Sequence, residues 1–238
     1  MKQNNLLSAL VLGLLLAGGL VMFARIGGEA ALGIKHLERT VTVKGLSERE
    51  VPADLAIWYI TFEIATNELP EFYQQLQDRN RIIIDYLSQY SIQREEINLN
   101  TPVVNDMFAK NYSNNNIKFR YTGSATVTVY SRQIDKVREA MTNIVELGQQ
   151  GVVLSAGDYR SQNQFLFSGL NDIKPAMIEE ATRNAREAAG KFAADSDSKL
   201  GKIKTARQGQ FSITDRDATT PHIKKVRVVS TVEYYLSD

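Results

Sequence analysis

Between Lys2 and Arg25 the chain runs for 18 residues, Leu6 to Phe23, without a charged side chain (LLSALVLGLLLAGGLVMF). A helix of that length covers roughly 27 Å at 1.5 Å per residue, close to the hydrocarbon thickness of a bilayer. The segment is apolar on every side. It therefore lacks the polar stripe of a helix lying on a globular surface, and a buried core helix is the weaker alternative. A cleaved signal peptide has an apolar core of about 7–15 residues followed by a small-x-small site. Here the core is longer, and the nearest small residues, around Gly28 to Ala31, follow Arg25 and flank Glu29. Length favours an uncleaved anchor over cleavage. The charge rule orients it weakly, because Lys2 stands on one side and Arg25 and Lys35 on the other. The usual behaviour of N-terminal segments puts residues 1–5 in the cytoplasm, residues 6–25 across the membrane and the rest outside. Gly13, Gly18 and Gly19 allow close packing between anchors but lack Gly-x-x-x-Gly spacing, so they read as ordinary small residues of a membrane helix.

Beyond a linker at 26–37, the chain has the size of one ordinary domain, 38–238. The whole sequence is 43% hydrophobic and 23% charged, a globular balance. Its formal net charge is +1, and no basic stripe is interleaved with aromatics, so nucleic-acid binding gains no support. With 0 cysteines there are no disulfides, thiolate metal sites or cysteine nucleophiles, and an oxidising compartment poses no hazard.

Hydrophobic periodicity alternates in type along the domain. Thr40 to Lys44 reads as a strand, with Gly45 opening a turn. Leu55 to Ile64 has period two, with Ala56, Trp58, Ile60, Phe62 and Ile64 on one face. Glu71 to Tyr90 reads as a helix, with Phe72, Leu76, Ile83 and Leu87 at helical spacing. A strand pair follows at 96–104 and 117–130, separated by an Asn-rich loop. Gln133 to Leu147 reads as a second helix with Ile134, Val137, Met141, Ile144 and Val145 inward, capped by Gly148. Another strand pair spans 151–168, broken near Gly157. The third helix starts at Asn171 or Asp172, holds Pro175 in its first turn and runs to about Ser198, where Gly201 ends it. Its inner face carries Ala181, Ala185, Ala188, Ala189, Phe192 and Ala193. Final strands at 203–214 and 224–236 are joined by the loop Asp215 to His222. Strand pairs with short turns, alternating with three helices, predict an α+β fold of antiparallel sheets with helices packed on their faces. No linker rich in Pro, Gly or Ser divides it.

Catalytic constellations are hard to assemble from these residues. The only histidines are His36, in the linker, and His222, after Pro221 in a hairpin loop. Neither has the setting of a Ser–His–Asp triad. The most pointed polar group is Asp215, Asp217 and His222, a weak candidate for calcium or zinc. Arg216 stands between the two carboxylates, and the regular oxygen spacing of a calcium loop is missing. A solvated or salt-bridged hairpin is the favoured reading. No phosphate-cradling glycine motif or nucleophile elbow occurs. No cofactor is expected.

Thr40-Val41-Thr42-Val43-Lys44-Gly45 is followed by Pro52-Ala53-Asp54-Leu55-Ala56. Tyr112 precedes Phe119-Arg120-Tyr121-Thr122-Gly123-Ser124-Ala125 and Thr126-Val127-Thr128-Val129. The alanine-rich helix Ala181 to Ala193 leads to Leu200-Gly201-Lys202-Ile203. In order and spacing these resemble the SIMPL-domain (DUF541) family over about residues 40–236, apart from Ala53 inserted in the Pro-Asp step. The resemblance implies a bacterial envelope or periplasmic protein. Some members are linked to oxidative-stress defence and some form large ring-like oligomers. It supplies no catalytic residue and no cofactor.

The expectation is a non-enzymatic, single-pass protein of the bacterial inner membrane, with its domain on the periplasmic side. It would meet the lipid bilayer through Leu6–Phe23. It would act in oxidative-stress or envelope-stress defence as a homo-oligomer or by holding an envelope protein partner. Tyr112, Asn114 and Arg216 are the candidate interaction residues. The alternative is a small-ligand or metal-binding module using the 215–222 loop. A hydrolase without a recognisable motif is the residual reading.

Overall fold

The computed structural model describes residues 12, 13, 15–28, 39–110, 117–155 and 162–237. They form an α+β structure with one four-stranded and one six-stranded sheet; the tenth and eighth strands pair antiparallel in the first, and all the pairings onto the second and fifth strands are antiparallel in the second. The chain divides into two compact units. One comprises Met1–Glu48, Lys174–Phe211 and Arg227–Asp238, the other Arg49–Ile173 and Ser212–Val226. The boundaries fall within strands β1 (Thr40–Pro52) and β10 (Ile223–Ser237) and just after the start of helix α4 (Leu170–Asp195). No linker composition could have marked them.

The second unit is organised by β2 (Leu55–Thr66). Its alternation places Ala56, Trp58, Ile60, Phe62 and Ile64 on one buried face, with Trp58 2% exposed. β5 (Tyr121–Ser131) pairs with it from Ala56↔Ser131 to Thr66↔Tyr121 and adds Ala125, Val127 and Val129 to that face. Helix α1 (Leu69–Gln89) covers it with Phe72, Leu76, Ile83, Tyr86 and Leu87, four of them the residues its spacing marked. Helix α2 (Ile134–Thr142) adds Val137 and Ala140, and the Tyr86 hydroxyl donates to the Ala140 carbonyl at 2.5 Å. Burial pushes the Tyr86 phenol up from its ordinary pKa, because phenolate would be desolvated there.

The strands flanking this pair are short. β3 (Ile97–Leu99) and β4 (Val103–Asp106) both pair with β5, so the single strand expected at 96–104 is broken at Asn100-Thr101-Pro102. Pro102 has no N–H to donate to a ladder. β6 (Leu154–Ser155) and β7 (Gln164–Leu166) both pair with β2 and not with each other. Residues 156–161, with the expected break at Gly157, lie outside the described residues.

The expected second helix is two: α2, and α3 (Val145–Gln149) after an interruption at Asn143-Ile144. The break rotates its face, so Leu147 is buried and Val145 is 67% exposed. The capping glycine is Gly151, at φ +84°, rather than Gly148. The Gly151 N–H donates to the Gly148 carbonyl and the Val152 N–H to the Leu147 carbonyl, both at 3.0 Å, a Schellman arrangement.

In the first unit, β10 lies between β1 and β8 (Lys199–Gln208). Helix α4 buries Ala181, Ala185, Ala189 and Ala193, as its spacing implied, but Phe192 is 58% exposed. β1 continues through Gly45 instead of turning there, because α4 comes that close. A Cβ on Gly45 would stand 1.8 Å from the Ala181 carbonyl oxygen and 2.4 Å from the Ala185 nitrogen. Ser47 donates to Glu180 at 3.0 Å and the Asn184 amide to the Leu46 carbonyl at 2.8 Å, locking the register. The helix ends at Asp195, ahead of Asp197 at φ 52°, and Gly201 lies within β8. It starts at Leu170, so Pro175 is inside it and not in its first turn.

Residues 6–11 and 14 of the apolar segment lie outside the described residues, as do residues 29–37 of the linker. Residues 12, 13 and 15–28 are helical, and no helix among the described residues is long and apolar enough to cross a membrane.

Gly45→Ala should lower the thermal midpoint of the full chain by several degrees, consistent with an overpacking cost of about 1–3 kcal/mol. Gly148→Ala, where an added Cβ meets nothing within 4 Å, should leave it unchanged or raise it slightly. Equal midpoints for the two variants would contradict the close β1–α4 contact.

Candidate functional site

The loop between β9 (Ser212–Asp215) and β10 is folded around its own Asp217. Oδ1 accepts the Thr219 N–H at 2.8 Å, the Thr220 N–H at 2.8 Å and the Thr219 hydroxyl at 2.6 Å. Oδ2 accepts the Arg216 Nε–H at 3.0 Å and the Thr220 hydroxyl. This is a side-chain-closed Asx turn, the local competition with backbone bonding that aspartate performs well. The hydroxyls of Thr219 and Thr220, followed by the Arg216 guanidinium, hold the Asp217 carboxyl well below the usual carboxylate range. Its ionised form therefore favours the folded loop above about pH 4, and that contribution is lost as pH falls through the lowered value.

Arg216 reaches further, from its own loop to Glu50 at the end of β1, with Nη1 to Oε2 at 3.5 Å. Asp215 pairs with Lys224, whose side chain is buried. The sequence offered Asp215, Asp217 and His222 as weak metal candidates beside the favoured reading of a salt-bridged hairpin, and the structure shows what the two carboxylates contact. One carboxylate is filled by its own loop, the other is tied to an ammonium, and no group of three such ligands occurs among the described residues. Tyr112 and Asn114 lie outside the described residues. The ends of their loop are nonetheless described: the Met107 N–H donates to the Arg120 carbonyl at 2.8 Å, and Arg120 pairs with Asp106 at 3.2 Å.

His222 belongs to a different feature. Its carbonyl accepts the Ala53 N–H at 2.8 Å, and its ring stands edge-on to Phe165 with centroids 6.1 Å apart. The ring lines a groove of 480 Å³ with Pro52, Ala53 and the run Arg132-Gln133-Ile134-Asp135-Lys136, where β5 ends and α2 begins. Burial, then the charges of Arg138 and Arg216, push the His222 imidazole below its ordinary pKa. The groove thus presents a neutral imidazole, two cationic side chains, an amide and one carboxylate. Among the described residues its lining includes no serine, threonine or cysteine to act as a nucleophile. Such a set can bind polar or acidic groups through charge-assisted hydrogen bonds.

The family model SIMPL, "Protein of unknown function (DUF541)", matches residues 41–234. The chain belongs to that family. The search of curated proteins found no match.

The SIMPL motifs can now be given physical roles. Gly45 ends the first motif because a helix backbone lies against it. Asp54, in the Pro-Ala-Asp step, starts α4. Its carboxylate accepts the Ser168 N–H at 2.8 Å, the Ser168 hydroxyl at 2.9 Å and the Gly169 N–H at 3.1 Å. That is an N-terminal cap supplied from a separation of 114 residues. Nothing local to Asp54 announces it. The groove residues Arg132, Gln133 and Lys136 were missed for the same reason. The only hint in the sequence is that they begin a helix, where backbone N–H groups are left over.

Two outcomes test this geometry. Asp217→Ala should accelerate hydrogen exchange at the Thr219 and Thr220 amides while amides of β2 stay protected. Arg216→Gln removes a cation that disfavours imidazolium, so the His222 pKa should rise toward about 6.5 in an NMR titration. A histidine held neutral favours the fold above its ordinary pKa and loses that contribution as pH falls through the lowered value. The variant should therefore shrink that loss and complete it at a higher pH.

Proposed function

We propose that this SIMPL-family chain is a non-enzymatic, membrane-anchored envelope protein. It works by assembling with further copies of itself or by holding a protein partner on the periplasmic side of a bacterial inner membrane, in oxidative-stress or envelope-stress defence. The observation that carries the reading is the helical stretch 15–28. Leu15, Leu16, Leu20, Val21, Met22, Phe23 and Ile26 are each 60–76% exposed and surround the helix. A helix apolar on all sides has no stable place in water; lipid, or other copies of the helix, must cover it. With residues 6–11 the uncharged segment reaches the length a bilayer requires.

Fractionation of cells expressing the full chain tests the anchor. The protein should stay in the membrane pellet through alkaline carbonate washing, and added protease should reach the domain in spheroplasts but not in intact cells. Light scattering of the detergent-extracted protein tests assembly, with a mass of several chains expected. Release by carbonate would overturn the anchor. A strict monomer with no co-purifying protein would overturn the assembly.

A further inference from the structure

The second unit has another cavity, 530 Å³ in volume and well away in sequence from the 215–222 loop. It is lined by Glu63, Ala65, Arg79, Asn105, Thr122 and Ser124, with Val153 and the Ile64 and Gly123 positions completing it. That volume lies within the range of small-molecule sites. Its place in the sheet explains why it exists. β6 pairs with β2 only at Thr61 and Phe62, and the last bond on that side runs from the Glu63 N–H to the Val153 carbonyl at 3.0 Å. Beyond it the β2 edge has no strand partner among the described residues, while β4 continues on the far side of β5, with Asn105 opposite Thr122 and Val103 opposite Ser124.

Two opposite charges line this cavity without pairing. Arg79, on α1, gives Nη1 to the Glu63 carbonyl and Nη2 to Gln75 Oε1 at 3.1 Å. Both acceptors are neutral. Among the described residues no carboxylate forms an ion pair with Arg79, although burial disfavours its charge. The Glu63 carboxylate likewise has no hydrogen-bond or ion-pair partner among the described residues, and the Thr122 and Ser124 hydroxyls are also uncommitted there. A half-buried guanidinium answered only by neutral oxygens retains capacity for a carboxylate, which it holds best in a forked geometry.

We propose that this cavity binds a small zwitterionic amino carboxylate such as a free α-amino acid. Arg79 takes the carboxylate, Glu63 takes the ammonium, and the Thr122 and Ser124 hydroxyls hydrogen-bond the polar head. A plain anion satisfies Arg79 but meets Glu63; a plain amine does the reverse. A single carboxylate is too few oxygens for a divalent cation. The inference is independent of membrane attachment and of copy number, so it can fail without affecting the proposal above.

The test is NMR titration of the detergent-extracted full chain with the standard L-amino acids. Propionate and ethylamine serve as single-charge controls. At least one amino acid should shift the amides of Thr122, Ser124 and Arg79 with a dissociation constant of about 1 mM or tighter, and propionate should bind about tenfold more weakly. Glu63→Gln, at an exposed position, should abolish the preference for the amino acid over propionate. Arg79→Lys should weaken the amino acid about tenfold, because the fork is lost. If Arg79→Lys fails to fold, Glu63→Gln still decides. No shifts with any amino acid at millimolar concentration, or propionate binding as well as the amino acids, would overturn the proposal. So would binding that Glu63→Gln leaves unchanged.

Discussion

In the second unit almost everything hangs on β2 being occupied along one whole edge, along much of the other and on one face. Its inward side chains from Ala56 to Ile64 need a cover, which α1 and α2 supply. Its backbone groups need partners, which β5, β6 and β7 supply. A strand so enclosed loses its side-chain packing if its register slips by one residue, since every buried side chain would turn outward. The long pairing with β5 therefore specifies the register, and the short strands β6 and β7 can be brief because they need only answer the remaining edge. Where that edge is left unanswered, Arg79 donates to the Glu63 carbonyl, and there the cavity opens.

The first unit solves a different problem. Its helix has few large apolar side chains to bury, and most of its buried positions are alanine. Small side chains provide little area, so they contribute mainly through closeness, which raises the density of dispersion contacts. Gly45 and the alanines of α4 are two halves of the same approach. Either side enlarged would push helix and strand apart and break the bonds from Ser47 and Asn184 that fix their register.

The residues of the candidate site are held by long-range polar contacts of modest individual strength. Asp54 caps α4 across the chain, Arg216 reaches Glu50, and the Ala53 N–H bonds to the His222 carbonyl. Exposed ion pairs such as Arg216–Glu50 add little stability, yet they fix where a loop points. The Asp217 turn gives the 215–222 loop a defined shape through its own side-chain hydrogen bonds. The groove beside it and the cavity near Arg79 are distinct in chemistry: one gathers cations around a neutral imidazole, the other sets one cation and one anion apart.

Local physics made several features readable from residues alone. Period two marked β2 and its buried Trp58; helical spacing marked α1; the alanine stripe marked the buried side of α4. Each reflects a pattern whose period matches the backbone that carries it. The family match was legible as well, because motif order survives without coordinates. Glycine was misread at Gly45, Gly148 and Gly201. A sequence shows that a Cβ is absent but not whether a turn, a helix end or a neighbouring backbone requires it. Val145 was misplaced because the helix is interrupted just before it, and Phe192 because it lies beside the buried stripe of Ala181, Ala185, Ala189 and Ala193 rather than on it. The division into two units, the cap from Asp54 and both cavities join residues far apart in the chain. No local preference encodes such distances, so only tertiary packing could decide them.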